Sequence, residues 1–422
     1  MFAENIQIAD LGIERSYLEG HLRECGYWAN AERRERYAYV LSPCVYVASS
    51  RQEDDLERLA RSTYAAVASL NKKLCALAQE KHLSKEDARF LQLGNAASRS
   101  LLRPQDQETR IPPVIKVDIV QDIFGHYHIA EVDTYNPRGF GYAAMLEHSL
   151  DSRMKLRRFP GMEELARIFQ NTQGDDAIWP WFVVVSEYER FYRAPYEILS
   201  SALKRQGMHF PTLSAREAFG ILRAPTEEGV AQMRAGFLSI PDTLFAEEPQ
   251  VRERFLSLYR EGYLKSLYPP VAYLGSKAFL PFLRAQEGMA EFVPPTSLVG
   301  RQYGEEEIRV STSRSELVLK ATVSSGMKGV YFSDIDRPEF ETALTQARQQ
   351  RNASWVLQEQ VPQAKLPIVV FDDEGKRMTQ DYYLRITAYV SQDGIVDAEV
   401  TGRPDRKVHG APDCIQIPVV LS

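Results

Sequence analysis

The sequence has few cysteines, no long apolar run and no basic block. Its 422 residues include four cysteines, none at Cys-x-x-Cys spacing, which argues against a zinc knuckle and against a disulfide framework. A reducing compartment, the cytosol, is therefore expected. No run of about 18 apolar residues occurs, and the first residues lack the basic start and apolar stretch of a signal peptide. These absences predict a cytoplasmic protein that makes no contact with a membrane.

The charges and the turn-forming residues exclude further classes of protein. There are 51 Lys and Arg against 57 Asp and Glu, a formal net charge of −6 without a basic cluster, so nucleic acid is not an expected partner. The 24 glycines and 23 prolines are ordinary usage, which excludes a collagen-like or low-complexity chain. At about 150 residues per domain, the length predicts two or three globular domains.

The first part of the chain predicts a long helix and a β-hairpin. A strand at 39–48 leads into a helix beginning at Ser50, where Ser50 and Glu53 have the spacing of a capping box. Apolar residues follow at three- and four-residue steps: Leu56, Leu59, Ala60, Tyr64, Val67, Leu70, Leu74 and Leu77. Two alternating runs within 113–132 flank a turn at 122–125 and predict the hairpin. The two glycines of 136–141 either bring backbone N–H groups to a ligand or form an ordinary turn.

The second part predicts a β-α-β unit followed by a mixed region. A strand at 181–187, a helix at 195–205 and a second strand from 208 form the unit. A helix at 251–267 is expected to end before Pro269 and Pro270, so a new domain should start near Val271. Beyond it the pattern predicts a helix at 338–351 and an antiparallel sheet, with strands at 316–322, 355–361, 368–371, 382–390, 395–400 and 414–420.

A lysine in the middle of an apolar strand is the first candidate for a binding site. Lys320 is such a residue, and a buried cation needs an anion. The loop after it offers hydroxyls and unobstructed backbone N–H groups suited to phosphate, from Ser324, Ser325, Gly326 and Gly329. The spacing is not that of a Walker P-loop. A nucleoside triphosphate site and a lysine on a solvated strand face are the alternatives at this point.

Three acidic residues of the predicted hairpin form the second candidate site. Asp118 lies on one strand, and Glu131 and Asp133 share a face of the other, because residues two apart on a strand point to the same side. Pairing of the strands can place Asp118 opposite them. Carboxylates in this number suit Mg²⁺ bound together with phosphates. The alternative is a splayed and solvated acidic face.

The order of three features along the chain resembles the order found in the ATP-grasp superfamily. Lys277 comes first, then Lys320 with its glycine-containing loop, then the apolar strand 355–361. The resemblance implies that ATP is bound and that the two lysines contact its phosphates. It also implies that further residues bind the nucleotide: Ser324, Gly326, Lys328, Gly329, Gln358, Glu359 and Val361.

The acidic hairpin upstream of the lysines is similar to the circularly permuted ATP-grasp ligases, among them glutathionylspermidine synthase and eukaryotic-type glutathione synthetase. The resemblance makes Asp118, Glu131 and Asp133 the Mg²⁺ ligands, with Asp133 where the family has Asn. Lys116 stands where the synthase has Arg, which keeps the charge but loses the bidentate fork. The catalytic residues implied are Lys116, Ser325 and Arg385, the last on a Leu-Arg strand.

The resemblance also implies a fold class and a domain order. The expected fold is mixed α/β and α+β, a circularly permuted ATP-grasp fold with a pre-ATP-grasp α/β substrate domain. Residues 1–112 would pack on the ATP-grasp core, and 113–180 would carry the metal-binding hairpin and the glycine loop. Residues 181–270 would form the substrate domain, and 271–422 would hold the ATP-grasp subdomains.

The function implied is that of an ATP- and Mg²⁺-dependent ligase that forms an amide through an acyl phosphate. Its substrates would be a small carboxylate and an amine, of the amino-acid, peptide or polyamine kind, and a homodimer is left open. An ATP-grasp kinase and a non-catalytic ATP-binding protein of the same fold are the alternatives. The loop 401–411 is either a charged surface turn or a lid, and His126, His128 and His409 lack the spacing of metal ligands.

Overall fold

A computed structural model describes most of the chain in separate segments. They are residues 7–25, 40–80, 82, 84, 111–135, 139–148, 156–173, 180–185, 192–214, 216–218, 220, 235–238, 249–269, 272–299, 316–322, 324, 327–349, 355–409, 411 and 413–422. Within these segments the strands are β1 (Gln7–Asp10), β2 (Cys44–Ala48), β3 (Ile115–Gln121), β4 (Tyr127–Asp133), β5 (Trp181–Val185), β6 (Thr212–Ser214), β7 (Ala235–Phe237), β8 (Leu264–Ser266), β9 (Thr296–Leu298), β10 (Leu317–Ala321), β11 (Val330–Phe332), β12 (Trp355–Glu359), β13 (Leu366–Phe371), β14 (Arg377–Ser391), β15 (Gly394–Arg403) and β16 (Ile415–Leu421). The α-helices are α1 (Arg15–Glu24), α2 (Ser50–Gln79), α3 (Tyr142–His148), α4 (Gly161–Gln173), α5 (Arg193–Arg205), α6 (Pro249–Arg260), α7 (Phe279–Arg284) and α8 (Arg337–Gln349). Of these helices, none combines the length and the apolar character that a membrane span requires.

The largest sheet, which we call the main sheet, has eight strands. Its order is β1-β2-β16-β15-β14-β3-β4, and β13 pairs with β14 outside this path. Strands β2 and β16 run parallel, and the other neighbours run antiparallel. The predicted hairpin is confirmed as β3 and β4, which join through a turn at Gly125.

The predicted long helix is confirmed as α2, which covers one face of the main sheet. Its apolar stripe shares a core with sheet residues such as Val117 and Ala398. At its start the backbone N–H of Ser49 donates to the Gln52 side chain at 2.9 Å, and the backbone N–H of Gln52 donates to the Ser49 hydroxyl at 3.4 Å. The capping box therefore lies one residue earlier than the predicted pair of Ser50 and Glu53.

The second sheet is parallel and has the order β6-β5-β7-β8. The predicted β-α-β unit is confirmed, because α5 connects β5 to β6 and these two strands pair in parallel. The helix predicted over 251–267 is shorter than expected and ends at Arg260. Gly262 has a φ of +80°, a left-handed conformation that glycine adopts without a Cβ clash, and the chain then enters β8.

The third sheet, which we call the small sheet, is antiparallel with the order β11-β10-β12-β9. One of its faces packs on α8, where Leu319 and Leu357 share a core with Phe340 and Leu344. The strands after residue 271 were expected in one antiparallel sheet, but β13 to β16 pair into the main sheet instead. Mixed α/β architecture is thus confirmed, whereas the circular permutation and the domain boundaries stay predictions.

Candidate functional site

A cavity lies between the main sheet and the small sheet. Its volume is about 760 Å³, a figure that includes the space at its open mouth. Eight of the residues predicted from the sequence line it: Asp118, Glu131, Lys277, Lys320, Gln358, Glu359, Val361 and Arg385. The fold therefore brings the acidic hairpin and the lysines, which are far apart in the sequence, to the lining of one cavity.

The small sheet contributes one of its faces to this cavity. Lys320 is paired with Val330, and Val318 with Phe332, across β10 and β11, so the four side chains share a face. All four line the cavity, while the alternate residue Leu319 packs on α8. Because side chains alternate between the two faces of β10, Lys320 lies on the cavity face among apolar residues.

Asp118 is the most deeply buried carboxylate of the cavity wall, with 4% of its surface exposed. Thr387 Oγ1 donates to its Oδ1 at 2.9 Å, Arg385 Nη1 lies 3.3 Å from Oδ2, and Lys116 Nζ lies 3.6 Å from Oδ1. Burial alone would raise the pKa of Asp118, but the charges of Arg385 and Lys116 outweigh it and hold the pKa below its usual value. Asp118 is therefore a fixed anion at neutral pH.

Glu131 lies opposite Asp118 on the neighbouring strand, and Lys277 Nζ pairs with it at 3.0 Å. Lys277 is also tied to the small sheet: its backbone N–H donates to Thr322 O at 2.9 Å, and its Nζ donates to Ser324 O at 2.9 Å. Lys277 thus connects the hairpin carboxylate with the start of the loop after β10.

Gly275 is a residue of this site that sequence reasoning missed. It closes the 3₁₀ turn Ala272–Gly275 just before Lys277, and a Cβ at this position would lie 2.9 Å from the Cβ of Tyr135. The turn is held to the end of β4 because Thr134 Oγ1 donates to Leu274 O at 2.6 Å. Only glycine allows this close approach, which places Lys277 over the hairpin.

Lys320 is buried, with 9% of its surface exposed. Its Nζ donates to Gln358 Oε1 at 2.6 Å and to the carbonyl oxygen of Ala130 at 3.1 Å, and both of these partners are neutral. Burial lowers the pKa of Lys320 to about 8, and the nearby charge of Glu131 offsets only part of this effect. An anion in the cavity would relieve the cost of burying this charge.

The strand β12 forms another part of the wall. The side-chain amide of Gln358 is engaged at both ends, since its Nε2 donates to Thr296 Oγ1 at 2.9 Å while its Oε1 accepts from Lys320. Gln358 therefore orients the lysine. Glu359 and Val361 line the cavity beside it, and the assignment of these residues to adenine stays a prediction.

Some predicted residues that the structure describes are absent from the cavity lining: Lys116, Asp133, Ser324, Lys328 and Gly329. The Oδ1 of Asp133 accepts from the backbone N–H of Tyr135 at 3.2 Å, and Lys328 is exposed. Gly329 has a φ of +67°, and a Cβ there would lie 2.8 Å from that of Ala321, so this glycine is required by the turn. Ser325 and Gly326 lie outside the described residues.

The loop between β15 and β16 contributes cavity residues that the sequence did not single out. Arg406 and Val408 both line the cavity. The guanidinium of Arg406 pairs with Asp334 and lies 6.0 Å from the ring centre of Phe332 and 5.5 Å from that of Tyr383. The charge run at 401–411 was the available signal, and the loop reaches the cavity rather than forming only a surface turn.

Two buried acids on β15 were also missed. Glu399 pairs across the sheet with Thr387, which in turn pairs with Asp118, so the three side chains share one face. Burial raises the pKa of Glu399 to about 8, although the charges of Lys116 and Arg385 lower it. Burial likewise raises the pKa of Asp397 well above its usual value. The sequence signal that could have revealed them is a pair of acids two residues apart in an otherwise apolar strand.

The fit of the wall to Mg²⁺ can be judged from its carboxylates. Asp118 and Glu131 lie on adjacent strands in direct opposition and both line the cavity. Mg²⁺ is commonly held by one or two carboxylates together with phosphate oxygens and water, so these two residues fit the ion. Among the described residues, no group of three or more His, Cys, Asp or Glu side chains is arranged to hold a metal. The three-carboxylate ligand set stays a prediction.

Comparison with solved structures shows which known fold this chain resembles. No family model matches the sequence, and no curated protein matches it. The fold is similar to that of a solved glutathione synthetase-like protein. A glutathione synthetase-like effector from Globodera pallida, in its apo form, superposes with a TM-score of 0.57 at 10% identity, over 97% of this chain and 98% of that chain. D-cycloserine synthetase DcsG gives a TM-score of 0.32 at 15% identity, over 56% of this chain and 74% of its own. At 10% identity the likeness to the effector concerns the fold alone.

Proposed function

We propose that this protein is an ATP- and Mg²⁺-dependent carboxylate–amine ligase of the circularly permuted ATP-grasp type, similar to glutathionylspermidine synthase. In the proposed reaction a substrate carboxylate takes the terminal phosphate of ATP, giving an acyl phosphate. An amine then attacks the acyl carbon, the C–O bond to phosphate breaks, and the products are an amide, inorganic phosphate and ADP. The substrates are small molecules, and nucleic acid has no part in the reaction.

The observation that carries this proposal is the set of charged residues that line one cavity. Lys320 from the small sheet and Lys277 beside it lie in the same cavity as Asp118, Glu131 and Arg385 of the main sheet. Phosphate transfer needs cations for the phosphate oxygens and carboxylates for a metal, held in fixed positions. The likeness of the fold to a glutathione synthetase-like protein supports the same class.

Each residue has a role that follows from its present contacts. Lys320, with two neutral partners and a lowered pKa, would bind a phosphate oxygen. Lys277 would exchange its pair with Glu131 for a second phosphate oxygen. Arg385 would hold the substrate carboxylate or the phosphate being transferred, since its fork of donors suits either oxyanion.

Glu131, released from Lys277, would then be free for the metal. Asp118 and Glu131 would hold Mg²⁺, which when bound neutralises phosphate charge and positions the phosphate oxygens. Lys116 would keep Asp118 ionised from the side, because its Nζ lies 3.6 Å from the carboxylate. Apolar residues of the small sheet, Val318 and Phe332 among them, would exclude water, which would otherwise hydrolyse an acyl phosphate.

The test is a turnover screen with the full chain. Amino acids, short peptides and polyamines are offered in pairs with ATP and Mg²⁺, and release of ADP and phosphate is measured together with the mass of any product. An amide formed only when acid, amine and ATP are all present is the expected result. Lys320→Ala should abolish it, whereas Lys73→Ala, which alters an exposed lysine of α2, should not.

The other outcomes separate the two alternative functions. A phosphorylated product without phosphate release would make the protein a kinase and refute the ligase. ATP binding without turnover across the whole panel would make it a non-catalytic nucleotide-binding protein.

A further inference from the structure

The loop 403–409 lies between β15 and β16 of the main sheet and contacts the small-sheet side of the cavity through ion pairs. Lys407 Nζ pairs with Asp336 Oδ1 at 2.8 Å, and Arg406 pairs with Asp334. Both acids follow β11 and precede α8, so both ion pairs cross from one sheet to the other. The four side chains are between 19% and 25% exposed, and partly buried charges are screened by salt less than surface charges.

Lys407 is held at each of its polar groups. Its backbone N–H donates to Asp405 Oδ1 at 2.7 Å. Its carbonyl oxygen accepts from Arg403 Nη1 at 3.1 Å and from His409 Nδ1 at 2.6 Å, and its ammonium group pairs with Asp336. The backbone that follows Lys407 is therefore fixed in place.

The next residue in this loop touches the proposed reaction centre. The carbonyl oxygen of Val408 accepts from Arg385 Nη1 at 3.3 Å, and the same nitrogen lies 3.3 Å from Asp118 Oδ2. Buried Arg385 Nε has no hydrogen-bond partner in the described part of the chain. The guanidinium is therefore oriented by two acceptors, of which one belongs to the loop.

We propose that Lys407 is a positioning residue for Arg385. It fixes the Val408 carbonyl, and through its ion pair with Asp336 it makes the orientation of Arg385 depend on the small sheet lying against the main sheet. This inference rests on the proposed function, in which Arg385 contacts the substrate carboxylate or the transferred phosphate. The alignment of Arg385 therefore depends on contacts from both sheets.

The first test needs neither nucleotide nor activity. Amide hydrogen exchange is compared between the wild-type full chain and Lys407→Met, which keeps the side-chain stem. The NMR resonance of the Arg385 side-chain Nε is compared in the same two proteins, and it is assigned by its loss in Arg385→Lys. Exchange within 405–409 should accelerate on the order of tenfold, and the Arg385 resonance should shift. Asp10→Asn is the matched control, because it removes a partly exposed pair with Arg377 of 2.9 Å elsewhere. Unchanged exchange or an unmoved resonance in Lys407→Met would overturn the proposal.

The second test measures turnover. Lys407→Met should lower the turnover number on the order of tenfold and leave the ATP dissociation constant within about twofold. The charge exchange Lys407→Glu with Asp336→Lys should restore most of the loss, which a general destabilisation would not allow. A turnover loss that the exchange leaves unrestored, or a loss confined to ATP affinity, would refute positioning. If the wild-type chain forms no amide, the proposed function fails, and the exchange and resonance measurements still decide whether Lys407 orients Arg385.

Discussion

Nucleotide affinity should fall as the pH rises, because Lys320 loses its proton within an accessible range. Burial lowers the pKa of Lys320 to about 8 from an ordinary 10.5. A group with that pKa is about 90% charged at about pH 7 and about 10% charged at about pH 9. If binding of the phosphates requires the charged lysine, the apparent dissociation constant rises about tenfold over this range, roughly 1.4 kcal/mol. A lysine with the ordinary pKa would stay charged and give almost no change.

The assay is calorimetric titration with ADP or a non-hydrolysable ATP analogue at saturating Mg²⁺. Because a bound phosphate raises the pKa of Lys320 again, binding above about pH 8 should take up close to one proton. The uptake is obtained by repeating the titration in two buffers of different ionisation enthalpy. The sign follows from linkage: the ligand favours the protonated lysine, so affinity is highest below the pKa of the free protein and is lost above it.

Two variants separate Lys320 from other titrating groups. Lys320→Arg stays charged throughout and should flatten the pH dependence, whatever its effect on absolute affinity. Glu399, whose pKa burial raises to about 8, titrates in the same range, and Glu399→Gln should leave the dependence in place. A wild-type affinity that does not change with pH, or an equal slope in Lys320→Arg, would refute the reasoning.

Three further substitutions test other parts of the site. Glu131→Gln should raise the Mg²⁺ concentration needed for half-maximal turnover on the order of tenfold with an unchanged melting temperature, and superimposable Mg²⁺ titrations would remove the hairpin from the site. Arg385→Lys should lower turnover about 10- to 100-fold, roughly 1.4–2.7 kcal/mol, with a smaller change in ATP affinity; full turnover would leave Arg385 as a structural ion-pair partner. Gly275→Ala should weaken ADP binding several-fold, because its Cβ would lie 2.9 Å from that of Tyr135 and displace Lys277. Affinity equal to wild type in Gly275→Ala would show that this turn does not place the lysine. The control is Gly20→Ala in α1, where nothing outside the helix's own neighbouring backbone lies within 4 Å of the added Cβ; it should stabilise the protein by about 0.5–1 kcal/mol in chemical unfolding.

Local pattern was sufficient for the elements that carry the candidate residues. The three- and four-residue spacing of apolar side chains predicts α2, and the alternation on either side of Gly125 predicts β3 and β4. Because strand pairing follows from a short turn, the opposition of Asp118 and Glu131 could also be expected. The observed register confirms that opposition.

Other details depended on local geometry that residue type does not determine. Ser49 and Ser50 are both able to cap a helix, and the burial of Gln52 rather than Glu53 goes with the earlier cap. The apolar residues of 251–267 fit a helix throughout, yet the left-handed turn at Gly262 divides them between α6 and β8. Periodicity cannot decide between a helix and a short buried strand over a few residues.

The sequence by itself determined the residue types available for chemistry: lysines in apolar strands, paired acids in a hairpin and an arginine within a strand. Only the tertiary structure decided which of them meet. The division of the last strands between two sheets creates the cavity, and it joins Lys277 to Glu131 and Arg385 to both Asp118 and Val408. These contacts join residues far apart along the chain. They exist because the apolar faces of the sheets must be covered by other elements, a property of the whole chain that no local window contains.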